Sequence, residues 1–214
     1  DSSAIPSYYI SREAKKYVTV VLNGDGADEL FGGYRRYVPI ANNWINYAKY
    51  FSYLTSIMPS PHDKQKNYNY LYRLLSMSNK TELDFYLSAT TDIFEDVYTF
   101  KSSEIIKRME IFSRNVNKLD ISSLSKILVL DSSLILPSDL LKKMDIATMS
   151  NSLEGRSPFL SKYMLEWAPK IPDREKIRGT KTKYILRKLA LKYSVDEISN
   201  QPKKGFEVPL KSWV

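Results

Sequence analysis

The sequence contains no cysteine among its 214 residues. This absence excludes disulfide bonds, a thiolate nucleophile and any metal site with thiolate ligands. It also fits a reducing compartment, so we expect the protein in the cytoplasm. Histidine is nearly absent too, because His62 is the single one. His62 lies in a proline-flanked break between predicted helices, and we expect no catalytic role for it.

Long apolar runs are also missing. No stretch of the chain approaches the roughly 18 apolar residues that a membrane-spanning helix needs, so we expect no membrane segment. The first residues lack both a basic start and an apolar stretch, so we expect no secretory signal peptide at this position. Because the chain does not begin with methionine, we expect it to be a piece of a longer protein.

Basic residues are unevenly distributed and concentrate in the rear half of the chain. The net charge is +8 overall, but residues 1–100 carry 10 basic and 11 acidic side chains, whereas residues 101–214 carry 22 and 13. Residues 170–211 alone hold 12 basic and 5 acidic side chains. Such a basic half indicates an anionic partner, which nucleic acid, a membrane surface or a polyphosphate could supply. A solvated basic surface without a partner is the alternative.

Hydrophobic patterning predicts one strand followed by many helices. Residues 5–16 have helical spacing, and residues 17–22 are β-branched and apolar on both faces, as in a buried parallel strand. We find no second strand in the sequence. Since one strand needs hydrogen-bonded neighbours, we expect further strands before residue 1. Helices are predicted over residues 41–57, 68–77, 81–90, 121–136, 138–150, 160–168 and 181–193.

The strand leads directly into a polar glycine-bearing segment, residues 23–34. Gly24 and Gly26 permit close approach of the backbone to a ligand. Asp25, Asp28 and Glu29 place three carboxylates within five residues. Carboxylates beside phosphates usually bind a bridging Mg²⁺. A surface turn is the simpler interpretation of Gly-Asp-Gly alone, but the preceding strand and the following Leu-Phe-Gly-Gly-Tyr specify more than a turn.

Residues 23–34 resemble the signature of the synthetase domain in glutamine-hydrolysing asparagine synthetases. Asn23 stands where serine is usual, and Ala27 where glycine or serine is usual. Residues 1–12 are similar to the helix before this strand in the family. Four rear segments resemble family motifs in the same order: residues 136–145, 149–160, 181–187 and 201–209. Ser161 and Gln201 depart from the usual aspartate and arginine, and residues 41–120 carry no motif.

The resemblance implies an α/β fold with the parallel sheet of adenine nucleotide alpha hydrolases. Within it this chain would be mostly α-helical, with about one parallel strand near its N-terminus. Residues 1–214 would form the C-terminal portion of a single asparagine synthase domain. Residues 1–40 would end its nucleotide-binding part, and residues 41–214 would form its helical part.

The activity implied by the resemblance is ATP-dependent amidation. Aspartate, ATP and glutamine would give asparagine, AMP, pyrophosphate and glutamate through a β-aspartyl-adenylate. ATP and Mg²⁺ would be the cofactors. Because relatives amidate or cyclise other carboxylates, an enzyme of this family with a carboxylate substrate other than aspartate is an alternative. A basic nucleic-acid-binding module is a more distant alternative. A homodimer also stays open.

Family roles carry over to individual residues. Asp28 would ligate the Mg²⁺ of pyrophosphate, and Asp25 and Lys203 would be catalytic, Lys203 as a point charge for the transferring phosphate. Four more residues would bind ATP or AMP: Asn23, Gly24, Tyr34 and Lys183.

For other charged residues in these motifs a structural role or simple exposure to solvent is an alternative to a catalytic one. We expect Arg156 to be a buried structural arginine and Glu154 to be a structural partner for an arginine. Lys183 and Arg187 would lie on one face of a helix, either solvated or in contact with phosphate.

Two parts of the implied enzyme are not in the sequence. The serine-glycine-glycine-x-aspartate-serine loop that holds pyrophosphate is absent, and so is the cysteine nucleophile of the glutaminase domain. We therefore expect a glutaminase domain as a partner within a parent chain.

We predict that these 214 residues, expressed alone, catalyse no ATP–pyrophosphate exchange with aspartate. The reason is that one wall of the ATP site is not encoded. Clear turnover in this assay would show the prediction to be wrong.

Overall fold

A computed structural model describes residues 3–59, 67–80, 82–90 and 103–193. Within these ranges the chain divides into two compact units. Unit 1 contains residues 3–33, 131–178 and 182–193, and unit 2 contains residues 34–59, 67–80, 82–90, 103–130 and 179–181.

Helices dominate both units. In chain order the elements are α1 (Ala4–Ala14), β1 (Val20–Leu22), α2 (Ala27–Phe31), a 3₁₀ turn (Arg35–Tyr37), α3 (Val38–Ala41), α4 (Trp44–Ala48), a 3₁₀ helix (Lys49–Ser56), α5 (Asn67–Ser78), α6 (Glu82–Thr90), α7 (Ser103–Asn117), α8 (Ser123–Ser133), a π-helical segment (Leu136–Leu141), α9 (Lys142–Met149), β2 (Glu154–Arg156), a 3₁₀ turn (Pro158–Leu160), α10 (Lys162–Trp167), a 3₁₀ turn (Ala168–Lys170), α11 (Asp173–Lys176) and α12 (Tyr184–Lys192). The mostly helical α/β class is confirmed.

The sheet in the described residues is one parallel pair, β1 and β2. Val20 lies opposite Glu154, and Leu22 lies opposite Arg156. The expectation of no second strand was therefore wrong. The expected burial of the first strand was also wrong, because Val20 is 38% and Leu22 74% exposed. Beyond β2, no described strand covers or extends β1, so its side chains stay accessible.

Small side chains let α1 pack against α9 in unit 1. Ser7 and Ser11 are buried in α1, and each hydroxyl donates to a carbonyl four residues earlier, Ser7 to Ser3 and Ser11 to Ser7, both at 2.8 Å. Internal hydrogen bonds of this kind lower the cost of burying a hydroxyl. The apolar residues that gave α1 its helical spacing are not among its buried residues, and Tyr9 is 54% exposed.

The apolar core of unit 1 surrounds α2. Leu30, Phe31, Ala168 and Ile171 are buried together. The rings of Phe31 and Phe159 meet edge to face, with centroids 5.7 Å apart. This packing fixes α2 beneath the loop that follows β1.

Unit 2 contains a helix that sequence reasoning did not predict, α7 (Ser103–Asn117). Ser113 and Val116 of α7 are buried, as are Tyr86 of α6 and Leu124 of α8. Residues 41–120 are therefore mainly helical where they are described, although they match no motif.

No described helix is both long and apolar enough to cross a membrane.

Two buried serines of unit 2 allow a matched stability test. Ser113 is fully buried, and its Oγ has no hydrogen-bond partner among the described residues, whereas the Ser78 hydroxyl donates to the Leu75 carbonyl at 2.7 Å. We predict that Ser113→Ala raises the free energy of unfolding by about 1 kcal/mol, because an unpaired buried hydroxyl is removed. Ser78→Ala should lower it by a similar amount. Urea denaturation measures both, and equal destabilisation by the two variants would contradict the prediction.

Candidate functional site

The loop after β1 continues the parallel pairing before it turns. The backbone N–H of Asn23 donates to the Arg156 carbonyl at 2.9 Å. The Asn23 side chain then accepts a hydrogen bond from the backbone N–H of Asp25 at 3.3 Å. Asparagine favours such local turns because its side-chain oxygen can mimic a backbone carbonyl. Asn23 thus shapes the loop, and serine, the usual residue of the resembled signature, makes such turns more weakly.

The two glycines of this loop have different surroundings. A Cβ on Gly24 would have no heavy atom within 4 Å, so the space beside Gly24 is open. Gly26 has φ +83°, and a Cβ there would lie 2.3 Å from Cδ2 of Leu160. Gly26 is therefore required by the fold, whereas Gly24 leaves room for a ligand to approach the backbone.

The three carboxylates of the loop separate in the structure. Glu29 is 1% exposed and turns into the interior, while Asp25 and Asp28 remain partly accessible. Among the described residues, no group of three or more carboxylate and histidine side chains lies together to hold a metal ion. The accessible carboxylates for chemistry in this loop are thus Asp25 and Asp28.

Asp28 and Lys183, both predicted site residues, form an ion pair. The Lys183 Nζ lies 3.0 Å from Asp28 Oδ1, and the two side chains are 26% and 22% exposed. Gly33 makes this possible, because a Cβ there would lie 1.7 Å from Asp28 Oδ1 and 2.3 Å from Lys183 Cε. The preceding residue, Gly32, has a φ of +67°, a left-handed conformation that glycine adopts readily in a turn.

Lys183 itself departs from the predicted position. Helix α12 begins at Tyr184, and Lys183 precedes it in a left-handed conformation with φ 51°. The expectation that Lys183 and Arg187 share a helix face was therefore wrong. Arg187 instead uses Nε to donate to the Thr182 carbonyl at 2.9 Å, while Lys183 reaches Asp28.

The Asp25 carboxylate is half-buried, and its Oδ2 has no hydrogen-bond partner among the described residues. Burial raises the pKa of Asp25, and the positive charge of Lys143 acts in the opposite direction. The Ser157 hydroxyl donates to the Asp25 backbone carbonyl and fixes the loop from the β2 side. Asp25 is thus a carboxylate held in place through its backbone, with one oxygen available.

Lys143 and Ser157 had no assigned role in the sequence, although both lie within the matched motifs. Lys143 Nζ donates to the Ser3 hydroxyl at 2.7 Å. The available signal was the helical spacing of residues 138–150, which places Lys143 on α9, but spacing alone does not show that the charge of Lys143 acts on Asp25.

The remaining predicted residues fall into three groups. Tyr34 belongs to unit 2, where Arg36 stacks over its ring at 4.1 Å. Lys203, His62 and Gln201 lie outside the described residues. Glu154 pairs with Arg156 at 2.7 Å, as expected for a structural acid, but Arg156 is 64% exposed rather than buried. The exposure follows from the position of β2 at the surface.

The donors present fit a Mg²⁺–phosphate group. Mg²⁺ is usually held by one or two carboxylates together with substrate phosphates, and Asp28 offers one carboxylate four residues after Gly24, where the backbone is open to a ligand. Lys183 supplies a cation at the same position. Asp28 would therefore hold the ion, and Lys183 a phosphate oxygen.

The contrasting surroundings of Asp25 and Asp28 predict opposite effects on stability. Asp25→Asn should stabilise the protein at pH 7, because a half-buried charge without a hydrogen-bond partner on Oδ2 is removed. The pKa of Asp25 is raised in the folded state, so the folded protein binds the proton more tightly and stability falls as pH rises through that range. The advantage of Asp25→Asn should therefore vanish below about pH 3.9, the ordinary aspartate pKa.

Asp28→Asn serves as the matched control. It leaves the Lys183 charge without its partner and should destabilise the protein at pH 7. Chemical denaturation of both variants at pH 3 and pH 7 measures the difference. Destabilisation by Asp25→Asn at pH 7 would show that the half-buried charge of Asp25 does not lower the stability of the folded protein.

Comparison with known proteins places the chain in a family. The asparagine synthase family model matches residues 1–214. An asparagine synthetase [glutamine-hydrolyzing] of Bacillus subtilis is 34% identical over 232 residues, covering 100% of this chain and 34% of that protein. Amidase chyE of Penicillium rubens is 35% identical over 75 residues, covering 32% of this chain and 11% of that protein.

The chain spans about a third of the length of the full-coverage curated relatives it matches. No solved structure matches it significantly. The family match over the whole chain and the glycine–carboxylate loop after β1 agree, and the chain belongs to the asparagine synthase family.

Proposed function

We propose that this chain forms part of the synthetase site of an ATP-dependent amidotransferase, an enzyme that activates a carboxylate as an acyl-adenylate and then amidates it. The observation that carries the proposal is the loop after β1, with open space at Gly24 and the Asp28–Lys183 pair at its end. Family membership supports the same chemistry.

The reaction has two displacements. A carboxylate oxygen forms a bond to the α-phosphorus of ATP while the bond from that phosphorus to pyrophosphate breaks. Ammonia, released by hydrolysis of glutamine, then bonds to the acyl carbon, AMP leaves with its electron pair, and a proton leaves the new amide nitrogen. Both steps require fixed geometry and neutralised charge. With aspartate as the acid, the product is asparagine.

The phosphate end of the site is the Asp28–Lys183 pair. Without ligand, the two charges neutralise each other at 3.0 Å. Asp28 would hold Mg²⁺ in place of its contact with Lys183, and Lys183 would then be available to a phosphate oxygen. Mg²⁺ supplies neutralisation of the charge on the leaving pyrophosphate. By the family resemblance Lys203 would add a second phosphate contact, and Asn23 and Gly24 would contact the adenylate.

Asp25 is the proposed proton acceptor when ammonia attacks. A general base is most effective when its pKa lies near the working pH, and burial moves the pKa of Asp25 upward toward it. Its Oδ2 is the oxygen without a partner among the described residues. The hydrogen bond from the Ser157 hydroxyl to the Asp25 main-chain carbonyl fixes the backbone that carries this carboxylate.

The proposal also assigns parts of the chain to the enzyme. Residues 1–40 would complete a nucleotide-binding part, residues 41–214 would form its helical part, and a glutaminase domain would supply ammonia in the cytoplasm. A nucleic-acid-binding module fits less well. The loop after β1 presents Asp25 and Asp28, which would repel a phosphate backbone in the absence of a cation.

Gly24→Ala tests whether the open space serves the nucleotide. In the complete polypeptide that carries this sequence, we predict an unchanged unfolding midpoint, because no atom lies within 4 Å of the new Cβ. We predict at least about a tenfold loss of Mg–ATP affinity by calorimetry, since the methyl group occupies the approach path. Lys183→Met should weaken binding similarly, and exposed Lys188→Met is the matched control that should not.

Carboxylate-dependent ATP–pyrophosphate exchange gives the functional readout on the same variants. Gly24→Ala and Lys183→Met should lower exchange with Lys188→Met unchanged. Unaltered ATP affinity and exchange in Lys183→Met would reject the proposed phosphate site.

A further inference from the structure

A groove runs between α1 and α9 in unit 1, with a volume of about 560 Å³. Ala4, Ile5, Tyr8 and Tyr9 line it from α1, and the opposite side is lined by Ser138, Asp139, Lys142, Lys143, Ile146, Ala147 and Ser150. We call it the α1–α9 groove. Its volume lies within the range of about 300–1,000 Å³ that is common for organic ligands.

The walls of the α1–α9 groove are apolar and accessible. Ile5 is 42%, Tyr9 54% and Ile146 59% exposed, although each is a large hydrophobic residue. The rings of Tyr8 and Tyr9 meet edge to face with centroids 5.6 Å apart, which gives one wall an aromatic surface. An exposed apolar surface of this kind is typical of a ligand-binding groove or an interaction site.

The charges in the groove favour an acid. Lys142 and Lys143 contribute two positive charges against one negative charge from Asp139. The Lys143 ammonium donates to the Ser3 hydroxyl at 2.7 Å. Its charge also acts on Asp25, where it opposes the rise in pKa that burial causes. A ligand carboxylate at Lys143 would therefore lie in the electrostatic neighbourhood of the proposed catalytic carboxylate.

We propose that the α1–α9 groove receives the body of the acid that is amidated, and that this acid is a monocarboxylate with an apolar chain or ring rather than aspartate. This inference rests on the proposed function. Aspartate offers a single methylene group to the walls, so Ile5, Tyr8, Tyr9 and Ile146 would gain little from it. An apolar body gains about fourfold in affinity for each methylene group that it buries.

The test uses the complete polypeptide and three probe acids: 3-phenylpropanoate, hexanoate and L-aspartate. ATP–pyrophosphate exchange reports which acid is adenylated, and calorimetry reports binding without chemistry. Ile146→Glu places a charge in the groove, and Ile10→Glu is the matched control, since Ile10 on α1 is 57% exposed and does not line the groove.

We expect exchange with 3-phenylpropanoate or hexanoate at lower concentrations than with L-aspartate. Ile146→Glu should raise the KM for the apolar acid at least about tenfold with little change in kcat, the pattern of lost ground-state binding. Ile10→Glu should change neither constant.

The possible failures are distinguishable. Exchange with L-aspartate alone, or an unchanged KM in Ile146→Glu, overturns the groove assignment and leaves the proposed function standing. Calorimetric binding of 3-phenylpropanoate that Ile146→Glu abolishes, without exchange for any acid, supports the groove as an acid site and rejects the proposed function. Absence of both binding and exchange rejects both.

Discussion

The ion pair between Asp28 and Lys183 is the interaction on which the candidate site depends. A partly buried pair with 22–26% exposure is weakly screened by solvent, so each charge needs the other until a ligand replaces it. The backbone is arranged around this contact. Gly33 has no Cβ that would collide with Asp28, and Lys183 adopts a left-handed conformation that costs about 1–2 kcal/mol in a non-glycine residue.

The parallel pairing of β1 with β2 positions the same loop from its other end. The Asn23 N–H donates to the Arg156 carbonyl, and the Ser157 hydroxyl donates to the Asp25 carbonyl, so β2 and the residue that follows it hold both ends of the turn that carries Gly24. Buried Leu30 and Phe31 of α2 hold the far side against the core. The open space at Gly24 is thus bounded by fixed elements, which is the condition for a preorganised binding site.

Local patterns in the sequence were sufficient to predict the strand, the glycine loop and most helices. β-Branched residues ending in a polar glycine segment indicated the strand-to-loop transition at Leu22–Asn23. Helix α7 also had a local signal that was missed, since Ile106, Met109 and Val116 recur at spacings that helices allow.

Other features depend on contacts between distant segments. β2 consists of Glu-Gly-Arg, residues with little intrinsic strand preference, and it forms because β1 offers a paired edge. The exposure of Tyr8 and Tyr9 follows from α1 packing through its serines instead, which periodicity does not reveal. The roles of Lys143 and Ser157 likewise require knowing which elements meet. The motifs thus identified the family and the loop, and the structure added the partners of that loop.

Hydrogen–deuterium exchange of the complete polypeptide, with and without Mg–ATP, tests whether the loop after β1 binds the nucleotide. If the loop after β1 and the start of α12 bind the nucleotide, backbone amides of residues 23–33 and 182–187 should exchange more slowly with Mg–ATP present, while α7 should be unchanged. Nucleotide binding with no protection of residues 23–33 would show that the loop after β1 is not the nucleotide site.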